Sequence, residues 1–117
     1  MNKKIRLGII GCGSIASKRH LPGLANLKKA GLDNFEVTAV CDGVEGNLTA
    51  AAKYVRDSMG NEPVSYHSWE DLVSDGKVDA VDICLPHGLH HIAGVACLEA
   101  GMHVVIDWLS KGVALRH

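Results

Sequence analysis

The stretch that decides the fold is Gly8-Ile9-Ile10-Gly11-Cys12-Gly13-Ser14-Ile15-Ala16. It ends an apolar, β-branched run that starts near Lys4 and leads into a segment of helical character. Within it stands Gly11-x-Gly13-x-x-Ala16. The spacing has a physical meaning when it follows a strand and opens a helix. Gly11 permits a tight turn, Gly13 lets an anionic group approach the backbone, and Ala16 lets the helix pack close to the sheet. The N–H groups near Ser14 and Ile15 then face a pyrophosphate, with the helix dipole behind them.

Outward from this turn, strand and helix patterns alternate. Phe35–Asp42 (FEVTAVCD), Ala80–Cys84 (AVDIC) and His103–Asp107 (HVVID) are further strand-like runs, and Pro63–His67 (PVSYH) is a shorter one. Between them, Val44, Leu48, Ala51, Ala52, Val55 and Met59 follow helical spacing. So do Leu89, Ile92, Ala93, Ala96, Cys97 and Ala100, with Gly101 as the stop signal. Ser68-Trp69-Glu70-Asp71 is a capping box that opens a short helix. Pro22 predicts a kink or restart in the first helix. Lys28–Asn34 is expected to be a solvated connection. The alternation implies an α/β fold: a Rossmann-type doubly wound parallel sheet of about five strands with right-handed crossovers, forming one domain over 1–117.

Strand ends in such a sheet line the ligand crevice. Asp42 ends the second strand, where a carboxylate accepts hydrogen bonds from adenosine ribose hydroxyls; it could also serve as a turn or N-cap residue. Gly43 and Val44 follow it, so no basic side chain directly after Asp42 is available for a 2′-phosphate, which favours NAD over NADP. After the fourth strand, Leu85 and Pro86 form an apolar shelf, followed by His87, His90 and His91. His87 and His91 have the spacing of a helical metal pair. No carboxylate or cysteine stands beside them, and no metal site is expected. His20 is assigned a packing or hydrogen-bonding role.

Composition excludes several classes. The 117 residues carry a net charge of −1, which provides no basic footprint for nucleic acid. No apolar run reaches the ~18 residues of a membrane span, and the start lacks a signal-peptide cleavage pattern. Cys12, Cys41, Cys84 and Cys97 lie in or beside apolar runs without metal-type spacing, so buried, reduced thiols in a cytoplasmic protein are expected.

Gly8–Leu24, Phe35–Asp42 and Tyr66–Asp107 together resemble the amino-terminal domain of the glucose–fructose oxidoreductase/inositol dehydrogenase (Gfo/Idh/MocA) family. The resemblance implies an NAD(P)-dependent oxidoreductase acting on sugars, inositols or related polyols. It implies that Gly11, Cys12, Gly13, Ser14 and Ile15 hold the pyrophosphate and that Asp42 holds the ribose. It also places Leu85, Pro86 and His90 beside the cofactor. His87 stands where the family often has asparagine. Asp107-Trp108-Leu109 stands where the family usually reads Glu-Lys-Pro, so Trp108 replaces the lysine near the reacting hydroxyl.

The family's second domain, which carries much of the substrate site, is absent from the sequence, and no catalytic residue is assigned. The chain alone is therefore expected to bind cofactor without turning over substrate. One alternative has a partner chain supplying the missing half. Another is a non-catalytic nucleotide-sensing or interaction module. An open fifth-strand edge would favour homo-oligomers through His103–Asp107 and Trp108, unless a carboxy-terminal domain covers it.

Overall fold

The computed structural model describes residues 4–13, 16–32, 34–84 and 87–106, with backbone alone for 87–91 and 105–106. Strand β1 is Ile5–Ile10. A π-helical turn, Ala16–His20, then runs directly into α1, Leu21–Lys29. Next come β2 (Phe35–Cys41), α2 (Glu45–Met59) and β3 (Val64–Tyr66). The order continues with α3 (Trp69–Asp75), β4 (Ala80–Ile83), α4 (His87–Glu99) and β5 (His103–Ile106). The expected restart near Pro22 is this change from π to α geometry, with Pro22 in the first turn of α1, where a missing N–H costs little.

The sheet is wholly parallel, in the order β3-β2-β1-β4-β5. The chain therefore winds outward from β1 in one direction, then crosses back and winds in the other. This is the doubly wound fold expected from the alternation, with its switch point between β1 and β4.

Both sheet faces are covered by helices, which is why the inner strands read as continuous apolar runs. Ile9, Val37, Val40, Leu48 and Val55 share one core layer with α2. Ile10, Leu72, Val81, Ile83, Cys97 and Val104 form the other. Ile9 and Ile10 thus face opposite layers, as strand alternation requires. Val37 and Val40 break that alternation: three residues apart, they share a layer. The β1–β2 register explains it, because Leu7 pairs with Val37 and Gly8 with Ala39, leaving Thr38 as a bulge.

Three details differ from the periodicity. Val44 is the extended N-cap of α2 and is 59% exposed, and Ile92 on α4 is 56% exposed. Their spacing fits the apolar stripes, but they lie at the margins of the buried faces. Lys28 and Lys29 belong to α1 rather than to a connection. Lys28 Nζ donates to the Phe35 carbonyl at 2.5 Å and lies 4.6 Å from the Phe35 ring, tying the helix end to β2. The Ser68 cap holds as expected, its hydroxyl oxygen accepting from the Asp71 N–H at 3.2 Å. Among the described residues, no helix is long and apolar enough to cross a membrane.

Candidate functional site

The site is built where β1 and β2 end side by side. The Gly11 N–H donates to the Cys41 carbonyl at 2.8 Å, which carries the pairing one residue past β1. Gly11 then turns with φ 90°, a left-handed conformation that a side chain strains and glycine adopts freely. The Ser17 N–H donates to the Gly13 carbonyl at 3.0 Å, so the turn feeds straight into helical geometry. Among the described residues, a Cβ on Gly13 would meet only Asn47 Nδ2, at 3.9 Å. The space beside Gly13 is therefore open, and the fold itself does not require glycine there.

Asp42 holds this turn from the neighbouring strand. Its Oδ2 accepts the Cys12 N–H at 2.7 Å, and its Oδ1 accepts the Val44 N–H at 2.7 Å. The second bond is an Asx-type turn that directs the chain into α2, while the N-cap position itself is Val44. A carboxylate has about four acceptor positions, so two bonds leave capacity for ligand hydroxyls.

The two thiols beside Asp42 are buried. Cys12 Sγ donates to the Cys41 carbonyl at 3.3 Å. Burial pushes both thiols up to about 12, with the Asp42 charge adding to the effect. They stay protonated and poorly nucleophilic at neutral pH. All four cysteines are free and buried, as the sequence leads one to expect.

A cavity of about 240 Å³ opens beside Asp42, lined by Gly11, Gly43, His67, Ser68 and Trp69 among others. His67 Nε2 and Glu45 Oε1 lie 2.7 Å apart at its margin. This bond and the imidazole charge hold the Glu45 carboxyl below its ordinary range. Glu70 also lines the cavity, and the charges of Asp42, Glu70 and Asp71 all raise the Cys41 thiol, so this end of the sheet is acidic.

The structure brings together four residues singled out in the sequence: Gly11, Cys12, Gly13 and Asp42. Ser14, Ile15, Leu85, Pro86, Asp107 and Trp108 lie outside the described residues, as does the side chain of His90. His67, Trp69 and Glu45 were not foreseen at the site. The available signal was positional, because His67 ends a predicted strand and strand carboxyl ends face the crevice.

Comparison with known proteins agrees with this geometry. Residues 5–108 match the model of an oxidoreductase family described as having an NAD-binding Rossmann fold. An uncharacterised oxidoreductase of Rhizobium meliloti is 34% identical over 103 residues, covering 88% of this chain and 28% of the relative. The scyllo-inositol 2-dehydrogenase (NADP(+)) of Bacillus subtilis is 28% identical over 103 residues, covering 88% and 25%. The crystal structure of the WlbA dehydrogenase from Bordetella pertussis, in complex with NADH and UDP-GlcNAcA, superposes with a TM-score of 0.71. It is 32% identical, over 89% of this chain and 29% of that one. The chain thus spans about a quarter of the length of the curated relatives it matches. The glycine turn, the Asp42 clamp, the strand order and the family match make this chain a member of the Gfo/Idh/MocA oxidoreductases, corresponding to their NAD-binding Rossmann domain.

Proposed function

We propose that this chain is the dinucleotide-binding part of a hydride-transfer enzyme acting on a sugar, inositol or related polyol. The observation that carries the proposal is the Asp42 clamp beside an open glycine turn. The residues fit a dinucleotide: the space at Gly13 is one that a side chain would fill, and Asp42 keeps acceptor capacity toward the cavity. The N–H groups from Gly13 to Ile15 would take the pyrophosphate, and Asp42 the adenosine ribose. Leu85, Pro86 and His90 would line the nicotinamide side. When bound, the dinucleotide supplies hydride exchange; the chain's own residues bind and orient it.

NAD is favoured over NADP because Asp42 and Glu70 line the cavity and no basic side chain directly follows Asp42, so a 2′-phosphate bound beside Asp42 would meet like charge. Trp108, standing where the family carries lysine, neither holds a charge nor transfers a proton. Substrate turnover therefore needs groups beyond this chain's own, supplied by a substrate domain. Among the described residues β5 is the edge strand next to β4, and an unpaired strand edge would recruit another strand, from a second copy or from that domain. The buried free thiols suit a reducing, cytoplasmic compartment.

Fluorescence titration with NADH and NADPH tests the assignment. NADH is expected to bind at least about tenfold more tightly, a difference of about 1.4 kcal/mol. Gly13→Ala should weaken NADH binding by a similar factor without changing the far-ultraviolet spectrum. Equal or tighter NADPH binding removes the NAD preference. Failure of both nucleotides to bind at millimolar concentration removes the proposal as a whole.

A further inference from the structure

A second polar cluster lies away from the Asp42 clamp. His20 ends the π-helical turn, Asp82 stands within β4, and Cys84 follows the end of that strand. Asp82 and Cys84 are two residues apart, so strand alternation puts them on the same face. His20 Nδ1 contacts Asp82 Oδ2, and Cys84 Sγ lies 3.8 Å from Asp82 Oδ1. One potential ligand atom from each residue falls within 4.8 Å of the other two. Among the described residues, Asp82 is the buried charged side chain, 8% exposed, in the middle of a parallel sheet.

An imidazole, a carboxylate and a thiol on one spot form a borderline-soft donor set, the chemistry that selects zinc. Zinc bonds of about 2.0–2.3 Å in a tetrahedron place neighbouring ligand atoms roughly 3.3–3.8 Å apart. The Cys84–Asp82 spacing of 3.8 Å already meets this. Opening the His20–Asp82 contact by small side-chain torsions admits the ion. His20 and Asp82 also line a groove of about 490 Å³ with Gly23, Leu24 and Leu27, which gives water access to a fourth position.

We propose that His20 Nδ1, an Asp82 carboxylate oxygen and Cys84 Sγ bind one Zn²⁺, with water from the groove as the fourth ligand. The ion staples the π-helical turn to β4. The same turn leaves the glycine loop, and the same strand leads toward Leu85 and Pro86, so the staple links the two halves of the crevice. The proposed ligand set includes neither His87 nor His91 and does not depend on which nucleotide binds.

Cobalt substitution followed by zinc displacement tests the proposal on the purified protein. One Co²⁺ per chain should bind with intense tetrahedral visible bands and a thiolate-to-cobalt charge-transfer band, and one equivalent of Zn²⁺ should remove both. Cys84→Ser should abolish the charge-transfer band, while Cys97→Ala should leave it intact. Asp82→Asn and His20→Gln should each weaken binding at least about tenfold. Zinc-edge X-ray absorption of the unmodified protein needs no variant, and one sulfur with nitrogen and oxygen neighbours is expected. No stoichiometric metal, a charge-transfer band that survives Cys84→Ser, or a zinc shell without sulfur would overturn the site and leave His20–Asp82 as an ion pair only.

Discussion

Two aspartates tie neighbouring strands together at opposite ends of the sheet, and they do so differently. At the amino ends, Asp79 accepts from the Arg6 backbone N–H at 2.8 Å and from its guanidinium at 3.0 and 3.2 Å. The carboxylate charge is cancelled by the residue it holds. In turn, Asp79 raises the Arg6 pKa above its ordinary value. At the carboxyl ends, Asp42 makes its two bonds to neutral backbone N–H groups. Its charge stays available to the cavity beside it. The same residue type is an ion-paired fastener at one end of the sheet and, at the other, a turn clamp with acceptor capacity to spare. The difference follows from what each carboxylate is paired with.

Asp42→Ala should break this contrast most severely. It leaves the part-buried Cys12 N–H and the exposed Val44 N–H without their acceptor, at a cost of about 1–2 kcal/mol in urea unfolding that comes mostly from Cys12, and it weakens NADH binding as well. Loss of binding with unchanged stability would mean that the clamp is not holding the turn.

The buried thiols, two of them beside Asp42, provide a second test, through alkaline stability. Burial raises Cys12 and Cys41 from 9.0 to about 12, and Cys97 from 9.0 to about 11. Above pH 9 the unfolded chain releases these protons while the folded chain keeps them. Their contribution is therefore complete below pH 9 and is lost as pH rises toward the folded values. The slope is at most roughly 1.4 kcal/mol per pH unit for each thiol. Urea midpoints measured from pH 8 to 10.5 should fall more steeply for the unmodified protein than for Cys97→Ala.

Asp79→Ala should have the smallest effect. The pair is exposed, at 48% and 43%, and ion pairs of this kind contribute little in water. The urea midpoint should shift by no more than the scatter of replicate unfolding curves, and NADH binding should not change. A marked loss of nucleotide affinity would show that the two ends of the sheet are coupled.

Much of this architecture was legible in the sequence because its signals are local. Apolar β-branched runs, helical stripes and the Gly11-x-Gly13-x-x-Ala16 spacing each report on residues a few positions apart. They identified the strands, the helices after them and the turn at Gly11. The Ser68 cap was legible for the same reason. Val44 and Ile92 fit the helical spacing yet are exposed, because spacing reports a face, whereas burial depends on how far the neighbouring layer extends over it.

The amino-acid sequence by itself determined the class of fold, the glycine turn after the first strand and the placement of Asp42 at a strand end. Only the tertiary structure decided which distant polar groups meet. Asp42 reaches back 30 residues to the Cys12 N–H, and His20 and Asp82 meet across 62. The bulge at Thr38 and the pairing of His67 with Glu45 belong with these. Apolar burial is non-directional, so a pattern suffices to record it. A hydrogen bond needs a particular donor at a particular angle, and strand order and register decide which donor arrives there.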